Sequence, residues 1–270
     1  MSGTRLRPAR ADDLAALSAI WTRSFGDPPD FVRAMLTDAG LLSAALCAEE
    51  DEQVRSAMFA FEGLRFRGVF GAYLYALATD PAARGRGLGG AVCTALARRC
   101  FARGAAFVCL SPADAGLARW YGTLGFRALY AMADLPLGTA GAGGKCTRLS
   151  AADYRAARTG PLCLTPQLLA AQEILHRFDG GGFFRVETGG ATALACAEPS
   201  DGRVLIRELI CPPEAVPAAA GAIAEAFSSK SALLRRRVPD GAHKVYIMYN
   251  PETAENLRSL DFPVFPYLLE

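Results

Sequence analysis

The chain has 270 residues, 51% hydrophobic and 21% charged, with a formal net charge of +2 at neutral pH. That is ample for a buried core, at a length where one large domain or two smaller ones fit, and two are favoured. The balanced charge leaves no strong electrostatic case for nucleic acid or an anionic membrane surface as main partner.

Eight cysteines are scattered singly, without zinc-ligand or redox spacing. They read as small buried hydrophobes in a reducing compartment, and no metal is expected. Met1 to Asp13 mixes arginines with aspartates and has no apolar segment, and no uncharged apolar run reaches membrane-spanning length. These features point to a cytoplasmic protein.

In chain order, Thr4 to Ala9 is a short strand. Asp12 and Asp13 open an amphipathic helix carrying Leu14, Leu17, Ile20, Trp21 and Phe25, which Gly26-Asp27-Pro28-Pro29 ends. A helix over Asp30 to Thr37 precedes Leu41 to Glu49, which pairs with Gln53 to Phe61 as a hairpin. Glu62 to Gly71 reads as a loop and Ala72 to Ala78 as a strand.

Asp80-Pro81 then turns the chain into a basic glycine-rich loop, Arg84 to Gly90, and a helix through Ala102. Ala105 to Leu110 is a strand, Asp114 the N-cap of a helix over Ala115 to Leu124 that Gly125 closes, and Phe126 to Met132 a returning strand.

Residues 136–150 are small and flexible and read as a linker between a domain over 1–135 and a second over 151–270. The second half has helices at Ala151 to Arg158 and Pro166 to Phe178. Strands follow at Gly182 to Thr188, Ala191 to Ala197 and Val204 to Ile210, then a helix over Pro213 to Phe227. Strands at Ala232 to Val238 and Lys244 to Tyr249, a helix over Glu252 to Leu260 and a strand at Val264 to Leu268 complete it. Its strand, helix, strand, helix, strand order repeats that of Gln53 to Met132 and suggests an internal duplication.

The loop suits a pyrophosphate. Glycines let the backbone approach a ligand, a helix N-terminus offers oriented N–H donors, and Arg84 and Arg86 add charge. Dinucleotides, nucleoside triphosphates and coenzyme A all present that group. Gly85, Gly87 and Gly90 satisfy the dinucleotide pattern G-x-G-x-x-G, but Thr79 to Arg84 separate them from the strand, a full meander precedes them, and Leu110 stands where a ribose-binding acid belongs. The Lys-Ser/Thr pair of a triphosphate loop is absent.

Arg84, Gly87 and Gly89 meet the signature Gln/Arg-x-x-Gly-x-Gly/Ala, and Tyr121, Gly125 and Phe126 meet Tyr-x-x-x-Gly-Phe. On these motifs, Thr4 to about Met132 resembles the GNAT superfamily of acyl-coenzyme A N-acyltransferases. The second half resembles the degenerate C-terminal domain of tandem members. The resemblance implies an α+β sandwich whose mixed, mainly antiparallel sheet splays at the fourth and fifth strands, followed by a smaller GNAT-like domain.

It further implies acetyl-coenzyme A as co-substrate, held by Arg84, Gly85, Arg86, Gly87, Leu88, Gly89 and Gly90. The acetyl carbonyl would bond an amide at Leu77 or Ala78, and Tyr121 would protonate the departing thiolate. Asp114 stands where many relatives have Asn, either facing the cofactor or capping its helix. For the base, Glu62 and Asp80 are the nearest carboxylates to the expected cleft, with Glu62 preferred because Asp80 precedes a proline. Tyr73 and Tyr75 share a strand face and either line the acceptor pocket or pack as ordinary strand aromatics.

Cys211 to Pro217 follows the corresponding strand of the second half with three prolines and no glycine, so that half should not bind coenzyme A but cover the acceptor side. In some tandem relatives the terminal carboxylate serves as base, which makes Glu270 a further candidate. His176 and His243 lack a partner motif and read as structural. The expected function is acetyl transfer to a primary amine of a small molecule or peptide by a monomer or homodimer. An acyl-coenzyme A sensor without turnover, and more remotely a dinucleotide oxidoreductase, are the alternatives.

Overall fold

A computed structural model describes residues 3–139, 144–160, 162–253 and 257. Strand β1 (Arg5–Pro8) leads through a 3-10 turn, where the Asp13 carboxylate accepts the Arg10 N–H (2.6 Å), into α1 (Leu14–Phe25). Helix α2 (Pro29–Thr37) starts on a proline whose fixed φ suits the first helical position. The expected strand from Leu41 is divided: Leu41–Ala44 is a helical turn, α3, and β2 begins at Leu46 (Leu46–Glu50).

The loop expected at Glu62 to Gly71 is instead the tip of a long hairpin, β3 (Gln53–Phe66) with β4 (Val69–Thr79). Arg67 (φ 49°) and Gly68 (φ 83°) make a two-residue turn with both φ positive, the geometry that matches strand twist. The glycines there terminate nothing.

Then come α4 (Leu88–Ala102), β5 (Phe107–Leu110), α5 (Ala115–Thr123) and β6 (Arg127–Leu137). Five residues of the expected linker form a strand, β7 (Lys145–Leu149). The second half continues with α6 (Ala151–Ala157), β8 (Leu162–Cys163), α7 (Pro166–Asp179), β9 (Gly182–Thr188), β10 (Ala191–Ser200) and β11 (Arg203–Ile210). Helix α8 (Val216–Ala226), β12 (Ala232–Val238) and β13 (His243–Tyr249) follow. The expected strand at Val264 to Leu268 lies outside the described residues, as does most of the helix from Glu252 to Leu260.

One open sheet runs through both halves in the order β1-β2-β3-β4-β5-β13-β6-β12-β11-β10-β9-β7, with β8 added beside β3. Its described pairings are antiparallel except β4 with β5 and β11 with β12. Strand β13 lies between β5 and β6, and β6 lies between β12 and β13, so each half lends the other a strand. Helices α1, α2, α6 and α7 cover one face through the largest core cluster. The other face is covered by α4 and α5 in the first half and by α8 in the second. No described helix is long and apolar enough to cross a membrane.

Candidate functional site

Where β4 ends, Asp80 accepts the Ala82 N–H (3.1 Å) and caps a 3-10 turn at Pro81–Ala83. Arg84 is extended, and Gly85 and Gly87 take φ of 76° and 79°, the left-handed region that an L-residue enters at a cost. Gly87 is the N-cap of α4, and no side chain bonds the helix start. The first helical bond comes from Ala91, so the N–H groups of Leu88, Gly89 and Gly90 are left for a ligand. A Cβ on Gly89 would stand 3.3 Å from Thr79 Oγ1, which fixes how closely α4 packs on β4.

The two arginines are less free than their sequence suggests. Arg86 is 56% exposed and pairs with Glu50 (2.9 Å), and Arg84 Nε donates to the Thr79 carbonyl (3.3 Å). Glu50 thus offsets part of the loop's charge, a pairing invisible in sequence because 36 residues separate the partners.

The parallel pairing of β4 with β5 spans only Gly71 to Tyr73, and from Leu74 to Thr79 that edge has left its neighbour. In the same stretch the β3–β4 register slips: Ala57 faces Ala78 while Phe59 faces Tyr75, which puts an extra residue into β4. Ala76 (φ 50°) takes up this bulge, an unfavourable state for a residue with a Cβ. Ala78 turns its carbonyl to β3, where the Ser56 hydroxyl donates to it (3.0 Å). By strand alternation Leu77 turns its peptide groups to the open edge, so Leu77 rather than Ala78 offers an amide to the cleft.

Tyr121 lies on α5 with 7% of its surface exposed, edge-on to Trp120 (4.9 Å) and Phe126 (5.6 Å). Its helix packs on the first turn of α4, since a Cβ at Gly90 would meet Leu124 (3.6 Å) and Trp120 (3.8 Å). Burial, aided by the nearby Cys93, pushes the phenol pKa up, so the proton stays on oxygen at neutral pH. Asp114 takes the second of its two readings: its carboxylate accepts the Leu117 N–H (2.7 Å) as the N-cap of α5.

Tyr73 and Tyr75 project to the opposite face of the sheet. Tyr73 is buried and stacks on Phe61 (6.4 Å), whereas Tyr75 meets Trp21 (5.6 Å) and Phe61 (5.8 Å). Burial, with the Asp27 charge, raises the Tyr75 phenol. Asp27 accepts the Trp21 indole N–H (2.7 Å), and Phe25 nearby is exposed. This acidic, aromatic patch joins α1, the turn after it and β4, and sequence reading missed it. In sequence Trp21 and Phe25 read as part of a helix stripe and Asp27 as part of its terminator, and only the fold sets them beside Tyr75.

The preferred base, Glu62, is already engaged. Glu62 projects to the α4 face, paired with Arg103 (3.0 Å) and Arg99 (3.6 Å) near the C-terminal end of that helix. Fifteen helical residues put this roughly 20 Å from the glycine loop. Asp80 is likewise occupied, by its cap, by Arg23 (3.2 Å) and by Arg55 (3.9 Å). Glu270 lies outside the described residues.

Residues 12–126 match the model of the acetyltransferase (GNAT) family. The whole fold is similar to a GCN5-related N-acetyltransferase from Anabaena variabilis (TM-score 0.71, 12% identity, 91% of this chain and 72% of that one). It is similar to another from Kribbella flavida (TM-score 0.65, 16% identity, 92% and 72%) and to Eis1 from Mycobacterium abscessus (TM-score 0.64, 16% identity, 92% and 73%). At these identities the likeness is one of fold. No curated protein matches the chain in sequence.

Proposed function

We propose that the protein transfers an acetyl group from acetyl-coenzyme A to a primary amine of a small molecule or peptide, by direct attack on the thioester. The observation that carries this reading is the uncapped start of α4 beside the bulged, unpaired edge of β4. The free N–H groups of Leu88, Gly89 and Gly90 hold the pyrophosphate, with Arg84 beside it. The pantetheine arm runs between β4 and β5, and the Leu77 amide donates to the thioester oxygen as charge develops there. Tyr121 keeps its proton until the thiolate departs.

The amine enters from the Tyr75 side. Exposed Phe25 and half-buried Tyr75, backed by the buried Trp21, offer aromatic surface to a cation, and Asp27 attracts it. The second half shapes that side through α7, whose Phe178 meets Phe31 of α2 (5.4 Å) and whose Gln167 donates to Gly40 (3.1 Å). Its own segment after β11 has a 3-10 turn at Pro213–Ala215 and a proline in the first turn of α8, so it lacks the donors of a phosphate cradle.

A second reading, an acyl-coenzyme A sensor, draws on the occupation of both Glu62 and Asp80 by arginines, which leaves neither as a ready base. Thiol release from acetyl-coenzyme A across a panel of amines separates the two. Amine-dependent release is expected. Saturable cofactor binding with no release from any amine would establish the sensor.

A further inference from the structure

The last turn of α7 and the neighbouring strand enclose a polar cluster that acyl transfer leaves unused. The His176 side chain is 2% exposed. Its Nε2 lies 3.2 Å from both Gln172 and the Cys196 sulfur, whereas Nδ1 is buried with no hydrogen-bond partner. Two carboxylates lie close to the imidazole. Asp179 Oδ1 is 3.6 Å away, too far for a hydrogen bond, and with Glu198 the three ligand atoms lie within 4.8 Å of one another.

Both carboxylates are already oriented. Arg207 grips Glu198 through Nε (2.7 Å) and Nη2 (2.6 Å), and Asp179 accepts the Gly181 N–H (2.7 Å), while each keeps spare lone pairs. Residue 181 is glycine for a steric reason. A Cβ there would stand 2.2 Å from Nδ1, 2.9 Å from Asp179 Oδ1 and 2.9 Å from the Ala197 carbonyl oxygen. A nitrogen and two oxygens thus converge on one small space.

We propose that His176 Nδ1, Asp179 and Glu198 form a binding site for a divalent transition-metal ion, zinc by its donor set, which ties the end of α7 to β10. Imidazole nitrogen and carboxylate oxygen are both zinc ligands, and three of them would leave a fourth position open to water. Two ligands on a tetrahedral zinc stand about 3.4 Å apart, close to the Nδ1–Oδ1 separation. The required tautomer carries its proton on Nε2, where the Cys196 sulfur accepts it. A half-turn of the Gln172 amide brings its own unpartnered Oε1 to the same proton. Asp179, one-third exposed, gives the ion a way in from solvent. Sequence reading gave His176 a structural role and expected no metal, since His176 and Glu198 are 22 positions apart and meet only across the α7–β10 packing.

The test is calorimetric titration of the chelator-treated full-length protein with zinc chloride, alongside thermal melts and cobalt substitution. One equivalent is expected to bind and raise the melting temperature. Asp179→Asn, at a partly exposed site that keeps its bond to Gly181, is expected to bind at least tenfold more weakly and to melt like the zinc-free parent. Cobalt should show d–d bands without thiolate charge transfer. Absence of stoichiometric binding, equal binding by Asp179→Asn, or a thiolate band placing the ion on cysteines would each overturn the assignment. None of these readouts depends on acyl transfer.

Discussion

Tyr121 combines burial with a polar hydroxyl at the junction of α5 and α4, so its two contributions can be separated by removing the oxygen alone. Tyr121→Phe keeps the ring contacts with Trp120 and Phe126. It is expected to lower kcat about 100-fold, with the melting temperature within about 2 °C of the parent. A thiol-release assay run beside a thermal melt checks both. Asp134 offers a residue-scale test in pH. Burial by itself would raise its carboxyl, but hydrogen bonds from Arg235 and His243 outweigh burial and hold it well below the usual range. A depressed folded pKa contributes stability above the unfolded value of about 4, and that contribution is lost as pH falls through the folded pKa. Asp134→Asn, which removes a charged partner of the buried Arg235, is expected to lose about 2 kcal/mol at pH 7 and clearly less at pH 3. Urea unfolding at the two pH values measures the difference.

At the scale of elements, the loop and α4 act as a unit whose geometry depends on glycine at position 87. The φ of 79° there would cost alanine about 1–2 kcal/mol, and a methyl group would crowd the open space beside the proposed pyrophosphate cradle. Gly87→Ala is expected to raise KM for acetyl-coenzyme A about tenfold while changing kcat less, which initial-rate kinetics at varied donor concentration would show. The helix from Leu88 to Ala102, the Asp114 cap and the helix it starts were legible in sequence because each rests on a local signal: a cap, an apolar stripe, a terminal glycine. The β3–β4 hairpin was not. Its tip is rich in arginine and glycine, and only the turn geometry at Arg67 and Gly68 reveals that the strands run on to Phe66 and from Val69.

For the whole molecule, the exchanged strands decide how far the halves can act alone. Cut after Leu135, the first half loses β13, which pairs on one side with β5 from Phe107 to Leu110 and on the other with β6. Strand β12 goes with it, so an edge of β5 opens and β6 loses both of its neighbours. The isolated first half is expected to aggregate or to unfold without cooperativity, and co-expression with the remainder to restore a soluble complex. Circular dichroism melts and size-exclusion chromatography of each half, alone and together, would decide it. The strand exchange also explains why strand order looked duplicated while strand pairing could not be read. Order is a property of local segments, but β6 and β13 pair across more than a hundred residues, and nothing in either segment encodes which neighbour it takes.

By itself, the sequence determined the position of the glycine-rich loop, the Tyr121-x-x-x-Gly125-Phe126 motif, most helices, and through them the resemblance of the first half to the GNAT family. These features rest on short-range chemistry, where residues close in the chain dictate backbone shape. Only the tertiary structure decided which charges are free. Glu62, Asp80 and Arg86 read as a base, an alternative base and a phosphate ligand, yet each is held by an oppositely charged partner at least 36 residues away. It also decided the bulge at Ala76, the aromatic and acidic patch at Trp21 and Asp27, and the convergence of His176, Asp179 and Glu198. Ion pairs and buried donor sets form where the folded sheet brings distant segments together, and local pattern carries no record of that meeting.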